Sequence, residues 1–279
     1  MAVKKTGKSD CDTILGPHPD KNSIFAECLS ATDGSTDGGS AHRNLEEVAG
    51  KRKALVSEAR EMLKRHHVSS EAIVRDKKRM EAMKKLGFET EARKLKRFPA
   101  SDTTRKGNFA EVILAEYVLA ATDTSLPVYR LRYNPNIDQS MKGDDVLAFG
   151  LDDNPVRLFV GEAKFRKQSS KQVVSEIAES LRKSNVNGLP TSLTFVLDRL
   201  YEAGNNALAE KVQDCVVLSA KGKLQLSYVG FLMSDGNCAQ RVQEMDGKLV
   251  DRFVIISFGL DAPDKLVEQC FKELEEALT

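Results

Sequence analysis

The sequence predicts an α/β fold, a mixed central sheet flanked by helices over residues 100–279, preceded by a basic helical region at 44–99 and a flexible N-terminal arm at 1–43. Three observations predict it. A helical segment at 105–121 is apolar on nearly every side and therefore has to lie between other elements. Two apolar runs of strand length, Val146-Leu147-Ala148-Phe149 and Leu158-Phe159-Val160-Gly161, flank the turn sequence Asp152-Asp153-Asn154-Pro155. The order α-β-β-β-α-β through the middle of the chain then gives a mixed sheet with helices on its faces.

Element by element, Ser30 to Ser40 is rich in Gly, Ser, Thr and Asp and reads as linker, with only Ile24-Phe25-Ala26 and Leu29 able to dock. From Asn44 to about Arg97 the pattern is helical. Leu45, Val48, Leu55, Ala59 and Leu63 recur at three- and four-residue steps. Ser69-Ser70-Glu71 caps a second helix, which Gly87 ends and whose Ile73, Met80, Met83 and Leu86 read as core packing. A short third helix runs to Phe98-Pro99. Asp102, Thr103 or Thr104 caps the central helix, in which Glu111 and Glu116 are embedded; Glu111 shares a face with Leu114, Ala115 and Val118.

Strands follow at 128–133, 145–151 and 157–166. Ser169 or Ser170 caps a helix to about Lys183 with Val173, Val174, Ile177 and Leu181 inward. A strand at 192–197, a helix to about Lys211, strands at 224–233 and 250–258, and a helix at 262–277 complete the chain.

Composition narrows the class. The chain has 279 residues, enough for a full core, and 41% are hydrophobic. No apolar stretch approaches the ~18 residues that span a bilayer, and the first eight residues lack the apolar core of a signal peptide. Cys11, Cys28, Cys215, Cys238 and Cys270 are scattered and form no CxxC, as in a reduced, cytoplasmic chain with free thiols and no zinc cluster. The net charge of +1 conceals a basic block: residues 51–106 carry 18 Lys and Arg against 8 Asp and Glu. Such a block attracts an anionic polymer. A solvated lysine-rich helical face is the alternative.

Chemistry concentrates at Glu162-Ala163-Lys164. Residues two apart on a strand face the same way, and an ion pair on an apolar strand is costly. Seventeen residues before Glu162, Asp145 opens the preceding apolar run. Asp, a hairpin-sized gap and Glu-x-Lys form the pattern of the PD-(D/E)xK metal-dependent nucleases, whose fold is restriction-endonuclease-like. Phosphodiester hydrolysis needs an activated water, a Lewis acid and neutralisation of developing charge. Asp145, Glu162 and the Ala163 carbonyl are oxygen ligands of the kind Mg²⁺ (or Mn²⁺) takes. Lys164 can orient the water, and Glu111 can close the site as a third ligand or as an acid/base group. Asp144 and Asp145 point to opposite faces of a regular strand, so one of them joins Glu162; Asp145 adjoins the apolar run, and Asp144 is the fallback.

Two further Asp-x-Lys matches, Asp76-Lys77-Lys78 and Asp246-Gly247-Lys248, fall in a charged helix and a turn. Gly7-Lys8-Ser9 lacks the upstream glycine and strand of a P-loop. His66-His67 diverge by about 100° on a helix and read as surface residues.

Arg105-Lys106-Gly107-Asn108-Phe109-Ala110-Glu111 and the apolar helix after it resemble the RGEFGE motif of the HamA family, the nuclease subunits of Hachiman antiphage systems. Lys142-Gly143-Asp144-Asp145 and Gly161-Glu162-Ala163-Lys164-Phe165 are similar to that family's KGxD and GEAKF segments. The resemblance covers 105–166 well and extends through about 260. It implies a bacterial, cytoplasmic PD-(D/E)xK nuclease that cuts DNA in complex with a DExD/H-type helicase, HamB, with no membrane and no small-molecule cofactor involved. It also puts Glu111, Asp145, Glu162 and Lys164 on the active-site motifs. Asn108 stands where the motif has its first Glu, which points to Glu111 as the functional acid. Two other readings remain: a non-catalytic nucleic-acid-binding or scaffold subunit with a nuclease fold, and a stand-alone restriction-type endonuclease.

Overall fold

A computed structural model describes residues 9–20, 22–92, 97–186, 188–245 and 251–278. The chain opens with two short helices, α1 (Asp10–Ile14) and α2 (Ile24–Cys28), and a hairpin of β1 (Leu29–Ser35) and β2 (Ala41–Glu47). Next come α3 (Arg52–His67), α4 (Ser70–Lys85), α5 (Glu89–Ala92) and the central α6 (Asp102–Thr122). A 3₁₀ turn (Arg130–Tyr133) leads to β3 (Val146–Gly150), β4 (Val156–Arg166) and α7 (Lys171–Ser184). A small hairpin, β5 (Asn185–Val186) and β6 (Leu189–Pro190), precedes α8 (Leu193–Glu202) and α9 (Asn206–Ala220). The chain ends with β7 (Leu224–Asp235), α10 (Ala239–Gln243), β8 (Phe253–Leu260) and α11 (Pro263–Leu278).

Six strands form one mixed sheet in the order β1-β2-β8-β7-β4-β3. The inner pairings β2–β8, β8–β7 and β7–β4 are parallel, and the edge pairs β1–β2 and β3–β4 are antiparallel. Parallel strands are buried on both faces, and β7 and β8 are accordingly near-continuous apolar runs. One face packs on α6, with Phe109, Ile113 and Leu114 against Val146, Phe159 and Phe231. Behind the other face lie α7, α8 and α9, with Val174, Ile177 and Val212 against Leu158, Val160 and Leu232. The mixed sheet between helices is the predicted architecture.

Several elements differ from expectation. Residues 29–43, read as part of a flexible arm, form β1 and the first three residues of β2, so the sheet extends into that segment. Its anchor is Arg43, which is 1% exposed and donates to both oxygens of Asp33 (2.7 and 2.8 Å), to Asp12 (3.0 Å) and to the Gly16 carbonyl (3.0 Å). Leu45 accordingly lies in a strand rather than a helix. Residues 128–133 are not a strand. Their alternation ends in a 3₁₀ turn because Arg130 and Arg132 spend their guanidinium groups on backbone carbonyls of neighbouring segments. Residues 192–197 belong to helix α8; Leu193, Val196 and Leu200 share one buried helical face, a pattern that a six-residue apolar run does not reveal.

The expected core role of α4 holds only at its start, where half-buried Ile73 packs on the core. No residue of that helix is buried, and Leu86 is 71% exposed. His66 and His67, by contrast, are buried rather than on the surface. The end of α3 is enclosed on both sides: His66 bonds Glu116 of α6 at 2.7 Å, and His67 packs on Phe98 and Phe271. The five cysteines are free and buried. Asp246-Gly247-Lys248 and Gly7-Lys8 lie outside the described residues.

Candidate active site

The site follows from a difference in strand length. The antiparallel register pairs Val146 with Gly161, and there β3 ends. β4 runs on to Arg166, supported only by β7 on its other edge. The next rung is part backbone and part side chain. The Asp145 N–H donates to the Gly161 carbonyl at 3.1 Å, and Asp145 Oδ2 accepts from the Ala163 N–H at 2.9 Å. A strand residue directs its N–H and C=O to the same edge, so the Ala163 carbonyl also faces the open edge.

Two glycines permit this geometry. A Cβ on Gly161 would lie 2.8 Å from Val146 Cβ and 3.0 Å from Leu114 Cδ2, so glycine lets α6 press directly on the hairpin. Gly143, at φ +108°, turns the chain into Asp144 in a conformation that other residues rarely adopt, and a Cβ there would collide with Ser192.

Asp144 and Asp145 diverge, as alternation requires. The Asp144 N–H donates to Ser192 Oγ (2.7 Å) and its Oδ2 accepts from the Ser192 N–H (3.0 Å), which ties the loop to the start of α8. Asp145 alone turns to the Glu162 edge. Glu162 is 7% exposed and accepts from Lys164 Nζ in a short ion pair. Glu111 approaches from α6, 6% exposed. The four residues singled out by sequence thus line one cleft of about 660 Å³. Lys106, Lys142, Arg166 and Lys167 add positive charge to its walls.

No sequence signal marks a fifth residue, Arg130. Its Nε lies 3.1 Å from Glu111 Oε1 and its Nη1 lies 3.5 Å from Asp145 Oδ1. Nη2 donates to the Met141 carbonyl at 2.9 Å, and Nη1 donates to the Asp144 carbonyl in a short contact. Arg130 therefore binds both the loop that carries Asp145 and the helix that carries Glu111.

Burial governs the protonation of these acids. It pushes Glu111 up to about 8; Arg130 opposes the rise, and Asp145 and Glu162 reinforce it. Burial likewise raises Asp145, and it raises Glu162 with help from the neighbouring Asp145. Among the described residues no three His, Cys, Asp or Glu side chains converge as a ready-made metal cage. Glu111 faces Arg130, which leaves Asp145, Glu162 and the Ala163 carbonyl as the oxygen donors at the open edge.

Asn108 also lines the cleft, and its Nδ2 lies 3.0 Å from His67 Nε2. His67 Nδ1 lies 2.8 Å from the Leu63 carbonyl, so it carries the proton and Nε2 accepts from Asn108. An amide suits this neutral histidine, whose burial holds it at about 4. Glu116, the other glutamate of α6, is bound by His66 and by Arg65 at 2.7 Å each and lies away from the cleft.

The HamA family model matches residues 23–274, which includes β1 and β2 as well as the site. The Hachiman protein HamA of Bacillus cereus is 34% identical over 267 residues, spanning 96% of each chain. No helix among the described residues is long and apolar enough to cross a membrane. The chain belongs to the HamA family of Hachiman antiphage-defence proteins.

Proposed function

We propose that the chain is a divalent-metal-dependent DNA nuclease of the PD-(D/E)xK kind, with a restriction-endonuclease-like core, and the cytoplasmic effector of its Hachiman system. The observation that carries this reading is the Asp145–Ala163 hydrogen bond, which brings Asp145 beside Glu162-x-Lys164 at an uncovered strand edge. The donor set is all oxygen, and one or two carboxylates are what Mg²⁺ usually takes from a protein. Asp145, Glu162 and the Ala163 carbonyl would hold Mg²⁺ or Mn²⁺. Once bound, the ion supplies Lewis acidity toward the scissile phosphate.

The remaining groups have separate tasks. Lys164, two residues from Glu162 on the same face of β4, orients the attacking water and offsets charge on the phosphate oxygens once the ion takes Glu162. Glu111 keeps its proton near neutral pH and can deliver it to a leaving oxygen. Lys106, Lys142 and Lys167 along the cleft suit a phosphodiester backbone. Family membership supports work alongside a DExD/H-type helicase, HamB, that delivers or licenses the DNA.

Plasmid incubated with the purified chain, with and without the helicase, in Mg²⁺ and in EDTA tests the proposal. We expect Mg²⁺-dependent cleavage in at least one condition, abolished by Glu162→Ala and by Lys164→Ala in folded protein. Cleavage that persists in the folded double variant, or in EDTA, rules the reading out. A nucleic-acid-binding subunit without activity would bind DNA and cut in neither condition.

A further inference from the structure

Arg130 brings a permanent positive charge to the carboxylates before any metal arrives. Its guanidinium touches Glu111 at 3.1 Å and Asp145 at 3.5 Å, and its side chain is 13% exposed. The group is not loosely placed, because it donates to the carbonyls of Met141, Gly143 and Asp144, all in the loop that delivers Asp145. Its Nε faces Glu111 yet completes no aligned hydrogen bond. The contact to Asp145 is longer than a charge-assisted hydrogen bond, which runs about 2.7–2.9 Å. The guanidinium is thus firmly bound by the loop and only weakly by the acids.

We propose that Arg130 is a resident counter-ion that competes with the divalent cation for Asp145, so that metal binding requires the Arg130–Asp145 contact to be given up. This rests on the metal-site reading of Asp145 and Glu162. The physical basis is simple: two cations cannot both lie against one carboxylate without mutual repulsion. A pre-formed ion pair therefore subtracts from metal affinity, and Arg130 sets the cation concentration at which the site loads. The backbone hydrogen bonds keep the guanidinium near the site after it releases Asp145, in reach of a phosphate oxygen, for which its fork is suited.

Mn²⁺ titration of the full chain, followed by calorimetry and by the electron paramagnetic resonance of free Mn²⁺, reads affinity without reference to cleavage. Arg130→Gln removes the charge and retains a donor for the loop carbonyls. We expect it to bind Mn²⁺ at least about tenfold more tightly than wild type, which corresponds to ~1.4 kcal/mol of relieved competition. That gain should vanish in Arg130→Gln/Asp145→Asn. Equal or weaker binding in folded Arg130→Gln overturns the proposal and leaves the nuclease reading intact. A gain that survives Asp145→Asn also overturns it, because the ion then lies elsewhere. Should Arg130→Gln unfold, Arg130→Met removes the charge with a side chain of similar length. It should likewise tighten binding about tenfold, and unchanged affinity there overturns the proposal. Absence of Mn²⁺ binding in every folded variant removes the metal site and the proposal with it.

Discussion

Asp145 completes the ladder that β3 leaves unfinished: its Oδ2 takes the Ala163 N–H at 2.9 Å, one rung beyond the Val146–Gly161 pair. The carboxylate is therefore placed by the sheet itself, on the edge where Glu162 and Lys164 emerge. Asp144, its neighbour in sequence, is committed to the start of α8 instead.

The two aspartates should accordingly fail in different ways. Asp145→Asn should lower DNA cleavage by two orders of magnitude or more, with little change in melting temperature. Asp144→Ala should cost about 1 kcal/mol, the usual loss for a helix-capping side chain, and leave cleavage within about tenfold of wild type, a loss of ~1.4 kcal/mol at most. Urea melts alongside plasmid assays on both variants check this. The reverse assignment, with Asp144→Ala inactive and fully stable, would make Asp144 the ligand.

The fold and site were unequally legible. Alternation and strand breaks expose β3, β4, β7 and β8, because a parallel or two-sided strand must be apolar along its length. The same logic exposes Glu162 and Lys164, since charge on such a strand has to be explained. β1 and β2 were invisible for the opposite reason. Ala31, Thr32, Asp33 and Gly34 carry little apolar character, and the strand is held by backbone pairing and by the Arg43–Asp33 fork. Arg130 was illegible because its contacts are with carbonyls of a loop, which leave no spacing in the sequence. His66 and His67 misled because adjacent helical positions diverge, yet packing on both sides of α3 buries both.

Arg43 offers a test of how firmly the N-terminal hairpin belongs to the fold. Its guanidinium is buried among Asp33, Asp12 and the Tyr117 hydroxyl of α6. Truncation leaves two acids without their cation, and breaking a buried pair costs about 3–5 kcal/mol. Arg43→Ala should therefore shift the denaturation midpoint strongly while its m-value stays unchanged. A cost below about 1 kcal/mol, the range of an exposed ion pair, would detach the hairpin from the cooperative unit.

Gly161 links packing to the site. An added methyl meets Val146 Cβ and Leu114 together, and neither is the free end of a long side chain. Gly161→Ala should destabilise by about 1–3 kcal/mol, as overpacking does, and should push α6, with Glu111, away from the strand edge. Cleavage should fall more than stability alone explains. The comparison is made at a temperature where both proteins are fully folded.

Glu111 predicts how the metal-free chain responds to pH. An ordinary glutamate titrates at about 4.5, and burial moves this one to about 8. Between those values the folded state binds more protons than the unfolded state, so stability falls as pH rises, by at most about 1.4 kcal/mol per pH unit for one group. The raised Asp145 and Glu162 act in the same direction. Glu111→Gln stays neutral throughout and should flatten the decline between pH 6 and pH 8, while wild type and variant converge toward pH 4.5. Chemical denaturation in EDTA at several pH values measures both slopes. Parallel curves would place the missing charge compensation at Arg130, with Glu111 ionised at neutral pH and unable to act as the proton donor.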